Sequence, residues 1–319
     1  MNVEPKIGVY NASVMRGADG DVLKSIDLIA EMGFKGANMG SIKGHPSFDS
    51  LPDDKKRCAV VEYARERGVE VVSVHSGISH EKTGPVEERI QPLRDTIDHC
   101  ADCGVPIVIV HGGGSAGEDE AENQAVWARL VEELKCGCEY AASKGVKVAM
   151  EPGGWTSFAH GWRTLNRLYQ EIGDDFYVNM DPANIAFVKE DPVEGAKVLG
   201  DRIIHMHVKD AGFRFAAPAI DAYVATLNDT ASNIHWAEWR KALYTGYKPE
   251  VPKPHQMFAR EMPVGEGEVD FKALLGVLYA GGFDGWLMIE RESKQEWERQ
   301  RQEILQARDH ILAVAKELA

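Results

Sequence analysis

The sequence lacks the features that would assign it to a membrane or to an export pathway. It contains no run of about 18 apolar residues, so we expect no transmembrane helix. The first ten residues, MNVEPKIGVY, include no basic stretch followed by an apolar one. We therefore expect no secretory signal and a cytoplasmic location.

Cysteine is scarce. The five cysteines are Cys58, Cys100, Cys103, Cys136 and Cys138. Cys100 and Cys103 have a spacing seen in zinc sites, but a second pair with suitable spacing is missing. We therefore expect reduced thiols that pack as small hydrophobic side chains.

Positive charge is also in deficit. The 319 residues include 36 Lys and Arg against 50 Asp and Glu, which gives a net charge of −14. Such a balance argues against nucleic acid or an acidic membrane surface as a partner. It leaves metal cations and small neutral substrates open.

Short β-rich segments alternate with amphipathic helical segments along the chain. The predicted strands cover residues 6–11, 35–40, 69–75, 106–111, 146–151, 176–181, 203–208 and 285–290. Strict alternation predicts an α/β fold with a parallel sheet, and eight units fit a single (β/α)8 TIM barrel domain over residues 1–319. A doubly wound sheet is the alternative, but the segment after the first strand, NASVMRGADGD, has no GxGxxG.

One connection breaks this rhythm. Residues 211–262 follow the seventh strand and are rich in aromatic residues and proline. An insertion at the C-terminal mouth of a barrel is expected to serve the active site. A surface excursion or an oligomer contact is the alternative.

Strands five to eight each end in a side chain that can bind a metal. These residues are Glu151, Asp181, His207 and Glu290. The carboxyl ends of the strands form the catalytic face of a (β/α)8 barrel. Oxygen and imidazole ligands without a thiolate favour a divalent ion, Mn2+ first, with Co2+ or Mg2+ as alternatives. A hydrogen-bonded polar network without a metal is the competing interpretation.

The motifs EPGG (from Glu151), DPAN (from Asp181), HMHVKD (205–210) and PVGEGEVDFKALLGVLYAGGFDGWLMIE (263–290) resemble those of the xylose isomerase-like barrels. That superfamily includes sugar-phosphate isomerases and epimerases, ketose 3-epimerases and inosose dehydratase. The resemblance covers nearly the whole chain outside 211–262. It implies that the same four residues bind the metal.

Further residues near the strand ends are candidates for substrate binding. They are His75, His111, Asn184, His205, Lys209 and Arg214. His205 lies two residues before His207 and so shares its face of the strand. Similar ketose epimerases often carry a histidine at the position of Asn184 and a glutamate near Ser157. Both departures weaken the prediction of a free-ketose epimerase.

The chemistry that these residues support is proton removal next to a carbonyl. Glu151 or Glu290 would act as the base, giving a metal-bound enediolate from a polyhydroxylated ketone or aldehyde. We predict an isomerase or epimerase. The alternatives are a lyase, either inosose dehydratase-like or the barrel subunit of a C-glycoside deglycosidase that acts on 3-oxo-glycosides with a small second subunit, and a non-catalytic sugar-binding barrel. A homo-oligomer is expected.

Overall fold

The computed structural model describes residues 4–40, 54–77, 82–112, 119–153, 158–213, 259–292 and 295–319. Its strands are β1 (Lys6–Tyr10), β2 (Gly36–Met39), β3 (Glu70–Ser76), β4 (Ile107–His111), β5 (Lys147–Glu151), β6 (Phe176–Met180), β7 (Ile203–Val208), β8 (Asp210–Phe213), β9 (Ala259–Met262) and β10 (Trp286–Ile289). Eight of them pair in parallel and close into a barrel in the order β1-β10-β7-β6-β5-β4-β3-β2. The predicted TIM barrel is confirmed, and the doubly wound alternative is wrong because β1 pairs with both β2 and β10.

Helices follow the barrel strands. They are α1 (Met15–Ala18), α2 (Val22–Glu31), α3 (Asp54–Glu66), α4 (Val86–Arg89), α5 (Gln91–Cys103), α6 (Glu120–Ser143), α7 (Gly161–Ile172), α8 (Pro182–Phe187), α9 (Pro192–Leu199), α10 (Phe271–Ala280) and α11 (Trp297–Leu318). Aspartate carboxylates cap several N-termini. Asp21 accepts the N–H groups of Leu23 and Lys24 at 2.8 and 3.0 Å, and Asp270 accepts that of Ala273 at 2.9 Å. Such caps fix where a helix begins.

The interior of the barrel changes character along the strands. Near the strand starts it is apolar, with Ile107, Ile109, Ala149 and Met288 buried together and the Trp286 ring packed against them. Alternation along a strand places every second residue in this interior. The same faces of the strands turn polar toward the carboxyl ends, where Glu151, His207 and Glu290 are buried.

The prediction of five reduced cysteines is wrong for one pair. Cys58 of α3 and Cys103 of α5 form a disulfide, with their Cα atoms 4.8 Å apart. The two residues are 45 positions apart in sequence. Their proximity comes from the packing of α3 against α5 around the barrel, which the spacing of the cysteines does not reveal.

The long insertion begins and ends in an antiparallel pair. β8 and β9 pair from Asp210 with Met262 to Phe213 with Ala259. Residues 214–258, including Arg214 and most of the aromatic residues, lie outside the described residues. Among the helices that are described, none is both long and apolar enough to cross a bilayer.

Candidate metal centre

The four predicted ligands meet at the mouth of the barrel. Glu151 ends β5, Asp181 follows β6, His207 lies in β7 and Glu290 follows β10. These strands are consecutive neighbours in the barrel, so their carboxyl ends lie side by side. One ligand-type atom from each residue lies within 4.8 Å of the others, and all four residues are buried.

Three of the converging atoms have no hydrogen-bond partner among the described residues. They are Asp181 Oδ2, His207 Nδ1 and Glu290 Oε2. His207 Nδ1 lies only 2.7 Å from Glu290 Oε2 and 3.4 Å from Glu151 Oε2. A bare imidazole nitrogen and a carboxylate oxygen repel each other at this distance. A proton or a cation must therefore lie between them, and this donor set of oxygens and imidazole fits a divalent metal.

The electrostatics of the cluster show a demand for positive charge. Burial lowers the pKa of His207, but Glu151 and Glu290 outweigh it and hold that pKa well above its ordinary value. Burial raises the pKa of Asp181 to about 7, against the lowering effect of Lys209. A buried carboxyl that retains its proton near neutral pH has too little positive charge around it, and a bound cation would supply that charge.

Hydrogen bonds to neighbouring residues orient the carboxylates of Asp181 and Glu151. Asp181 caps α8, since its Oδ1 accepts the N–H of Asn184 at 2.9 Å, and this leaves Oδ2 directed to the cluster. Glu151 Oε2 accepts Nδ2–H of Asn179 at 2.9 Å, and Glu151 Oε1 accepts Nδ2–H of Asn184 at 3.4 Å. These bonds pre-organise the carboxylates for a ligand.

Lys209 lies between Glu290 and Asp181 at the edge of the site. Its ammonium donates to Glu290 Oε1 at 2.6 Å and lies 3.6 Å from Asp181 Oδ2. Burial raises the pKa of Glu290, but Lys209 and His207 outweigh it and lower that pKa to about 2. The carboxylate of Glu290 is therefore ionised throughout the neutral range.

The residue after Lys209 anchors the segment that leads to α10. Asp210 is buried, and its carboxylate accepts the backbone N–H groups of Gly265, Gly267 and Val269 at 2.9–3.1 Å. A side chain at Gly267 would collide with this carboxylate. The GEG motif thus holds the base of the β8–β9 pair against the end of β7.

Two of the predicted substrate contacts form a histidine pair beside Glu151. His75 Nδ1 lies 2.9 Å from His111 Nε2, and His111 Nε2 lies 3.5 Å from Glu151 Oε2. The side chain of His111 is 40% exposed, whereas His75 is buried. Of the two imidazoles, His111 is therefore the one open to a ligand in the mouth.

His205 occupies a deeper layer. It is fully buried, and its ring nitrogens contact Ser73 Oγ at 3.0 Å and Asn179 Oδ1 at 2.7 Å. Burial lowers the pKa of His205 well below its ordinary value, so the ring is neutral. Its contact with substrate stays a prediction, as does that of Arg214 outside the described residues.

A family model described as a xylose isomerase-like TIM barrel matches residues 26–312. The chain belongs to the xylose isomerase-like TIM barrel family. Five curated relatives, each named inosose dehydratase, are 21–25% identical to it. The relative from Clostridium botulinum strain Alaska E43 is 25% identical over 288 residues, which are 86% of this chain and 84% of the relative.

Solved structures share the fold of this xylose isomerase-like chain. D-psicose 3-epimerase from Clostridium cellulolyticum H10, solved with D-tagatose, superposes with a TM-score of 0.69 at 14% identity, covering 97% of this chain and 99% of its own. The 3-keto-D-glucoside 4-epimerase from E. coli gives 0.65 at 15% identity, covering 96% and 100%. At these identities the likeness concerns the architecture.

Sequence reasoning missed several residues that shape this xylose isomerase-like site. Asn38 and Asn179 are fully buried and hydrogen-bond to its histidines. Tyr10 stacks on His75 and His207, with ring centroids 4.8 and 5.6 Å apart. The available signal was a polar residue inside an otherwise apolar strand, as in GANM and FYVNM.

Proposed function

We propose that the chain is a divalent-metal-dependent lyase that removes water from a cyclic polyhydroxylated ketone of the inosose class. The observation that carries this proposal is that three buried ligand atoms, none with a hydrogen-bond partner in the described part of the chain, converge beside the Glu151 carboxylate. Glu151, Asp181, His207 and Glu290 would hold the ion, and Mn2+ is the ion that we propose. When bound, the ion would polarise the carbonyl and the adjacent hydroxyl of the substrate.

Glu151 is the base in this proposal. Burial raises its pKa, but His111, His207 and His75 together outweigh burial and hold that pKa well below its ordinary value. The carboxylate is therefore ionised at neutral pH and can accept the proton from the carbon next to the carbonyl. The amides of Asn179 and Asn184 hold it in one orientation, which an efficient proton transfer requires.

His111 lies where it can bind the substrate. It borders Glu151 and is partly exposed at the mouth. We propose that His111 hydrogen-bonds to an oxygen of the substrate ring, next to the carbon that loses its proton. The hydroxyl on the following carbon takes up the proton that Glu151 accepted and leaves as water, and the electron pair of the broken C–H bond forms the new double bond.

Two observations favour elimination over epimerisation. The curated relatives matched over most of this chain are named inosose dehydratase. In addition, Asn184 stands where similar ketose epimerases often have a histidine, and its amide is used to orient Glu151. Position 157, the other departure from those epimerases, lies outside the described residues.

A 3-epimerase or isomerase is the second candidate. Glu151 and Glu290 come from the two ends of a four-strand arc, β5-β6-β7-β10. Two carboxylates placed in this way could remove a proton from one face of a carbon and return it to the other. The structural relatives that are epimerases share the fold and so fit either candidate.

A substrate panel tests the proposal. The Mn2+-loaded protein is incubated in D2O with inososes, ketohexoses and 3-oxo-glucosides, and the products are analysed by mass spectrometry and NMR. We expect an inosose to lose one water, and Glu151→Gln to slow that loss by about 10²-fold or more. A ketohexose that gains one deuterium without losing water, while inososes remain intact, would establish the epimerase instead. Cleavage of a 3-oxo-glucoside alone would establish the deglycosidase-type lyase.

A further inference from the structure

Two buried asparagines contact the histidines of the site directly. Asn38 lies in β2 and Asn179 in β6, and both are fully buried. Each sits where the strand register shifts against its neighbour, between Ala37 and Asn38 and between Val178 and Asn179. Such irregularities re-aim a side chain next to active sites.

The orientation of the Asn38 amide follows from an unambiguous acceptor. Its Nδ2 lies 3.3 Å from the carbonyl oxygen of Ser73, which can only accept. Its Oδ1 therefore faces the other way, toward His207 Nε2 at 3.1 Å and His75 Nε2 at 3.0 Å. An amide oxygen is an acceptor only, so both imidazoles must carry their proton on Nε2.

This assignment determines which atom of His207 can bind a cation. With the proton on Nε2, the lone pair is on Nδ1, the atom that lies 2.7 Å from Glu290 Oε2. The same reasoning applies to His75 and His111. His75 has Nδ1 bare, so His111 Nε2, 2.9 Å away, must carry the proton between them.

The Asn179 amide is oriented in the same way. Its Nδ2 donates to Glu151 Oε2, a carboxylate oxygen that can only accept while ionised. Its Oδ1 then faces His205 Nδ1 at 2.7 Å, so His205 carries its proton on Nδ1 and accepts from Ser73 Oγ on Nε2. His205 thus has the opposite tautomer to His207, although the two lie two residues apart on one strand.

We propose that Asn38 and Asn179 are positioning residues that set the tautomers of the histidines, with Asn38 making Nδ1 of His207 the ligand atom. This inference deepens the metal centre and rests on the proposed function for its effect on metal binding. A hydrogen bond to the second nitrogen of a ligating histidine orients the ring and raises its basicity. Asn38 accepts this hydrogen bond from Nε2 of His207. Asn179 affects the metal centre through its hydrogen bond to Glu151.

Histidine tautomers can be read directly by NMR. Protein labelled with 15N-histidine is loaded with Zn2+ as a diamagnetic probe, and long-range 1H–15N correlations are recorded, with His75→Gln, His205→Gln and His207→Gln used to assign the rings. We expect Nε2–H at His75 and His207, and Nδ1–H at His205. Nδ1–H at His75 or Nε2–H at His205 would overturn the proposal. The rings of His75 and His205 are read in metal-free protein too, so a failure to bind Zn2+ would count against the metal centre alone.

Substitutions connect the tautomers to binding. Asn38→Leu should weaken Mn2+ binding on the order of 10–100-fold in calorimetry and remove the Nε2–H signature of His75, which loses the acceptor Asn38 Oδ1. Asn38→Asp keeps an acceptor for both rings and should retain that signature. This variant keeps the proposal testable if the leucine variant does not fold. Asn179→Leu should change the tautomer of His205 and leave that of His75. An Asn38→Leu protein that loses Mn2+ affinity with all tautomers unchanged would contradict a positioning role.

Discussion

Lys209 provides a sharp test of the electrostatics of the site. Its side chain is 10% exposed and its ammonium lies 2.6 Å from Glu290 Oε1, whose side chain is 5% exposed. Replacement by methionine leaves Oε1 of the buried Glu290 carboxylate without the ammonium from which it accepts a hydrogen bond. Removing one partner of a buried ion pair costs about 3–5 kcal/mol of unfolding free energy.

That cost converts into a measurable shift. For 319 residues and an unfolding entropy of about 2 cal/mol/K per residue, Lys209→Met should lower the Tm by about 4–8 °C. The assay is differential scanning calorimetry in EDTA, so that a bound ion does not replace the missing charge. Metal should reduce the difference, because a cation also compensates the carboxylates.

A matched lysine supplies the control. Lys272 Nζ lies 2.9 Å from Glu317 Oε2, but both side chains are more than half exposed. Water solvates Glu317 once its partner is removed, so Lys272→Met should leave the Tm unchanged. If Lys209→Met shows the same Tm as Lys272→Met, the carboxylate cluster does not depend on buried charge and the reasoning is wrong.

Three further predictions concern catalysis, metal binding and the insertion. Glu151→Gln should lower turnover by about 10²-fold or more in steady-state assays, because the variant keeps an oxygen donor and loses the base, and Glu290→Gln should lower turnover because it removes a charged metal ligand; a Glu151→Gln protein as active as the wild type would exclude Glu151 as the base. Mn2+ at about 100 times its Kd should stabilise the folded protein by about 2.7 kcal/mol in a thermal melt, and Asp181→Ala should lose this gain; an equal gain in the variant would exclude Asp181 as a ligand. Replacing residues 216–256 with a short glycine-containing linker should spare the circular dichroism spectrum and the Mn2+ stoichiometry, because β8 and β9 pair at the base of the segment; loss of the metal would show that the segment contributes to the centre.

The barrel could be predicted because its signals are local. Each predicted strand coincides with an observed barrel strand to within one or two residues, as in 146–151 against Lys147–Glu151. Gly104 follows α5 and adopts a left-handed conformation with φ 73°, which commonly ends a helix. The convergence of the strand-end ligands also followed from the sequence, because parallel strands in a barrel all present their carboxyl ends at one face.

The contacts that orient the site could not be predicted, because they join distant strands. Asn38 of β2 reaches His207 of β7 across 169 positions, and nothing in GANM indicates this. The disulfide between α3 and α5 likewise depends on helix packing rather than on a cysteine motif. Local patterns thus predict which elements form and which side chains face inward, whereas the pairings between side chains depend on the closed barrel.

Calorimetric titration of Mn2+ tests the central claim most directly. The protein is freed of metal with EDTA, dialysed and titrated, as wild type and as His207→Ala. We predict one Mn2+ site per chain in the wild type, and its loss in the variant, because His207 Nδ1 lies among the three carboxylates of the cluster. Wild-type protein that binds no Mn2+, or a variant that binds it as tightly as the wild type, would contradict the account.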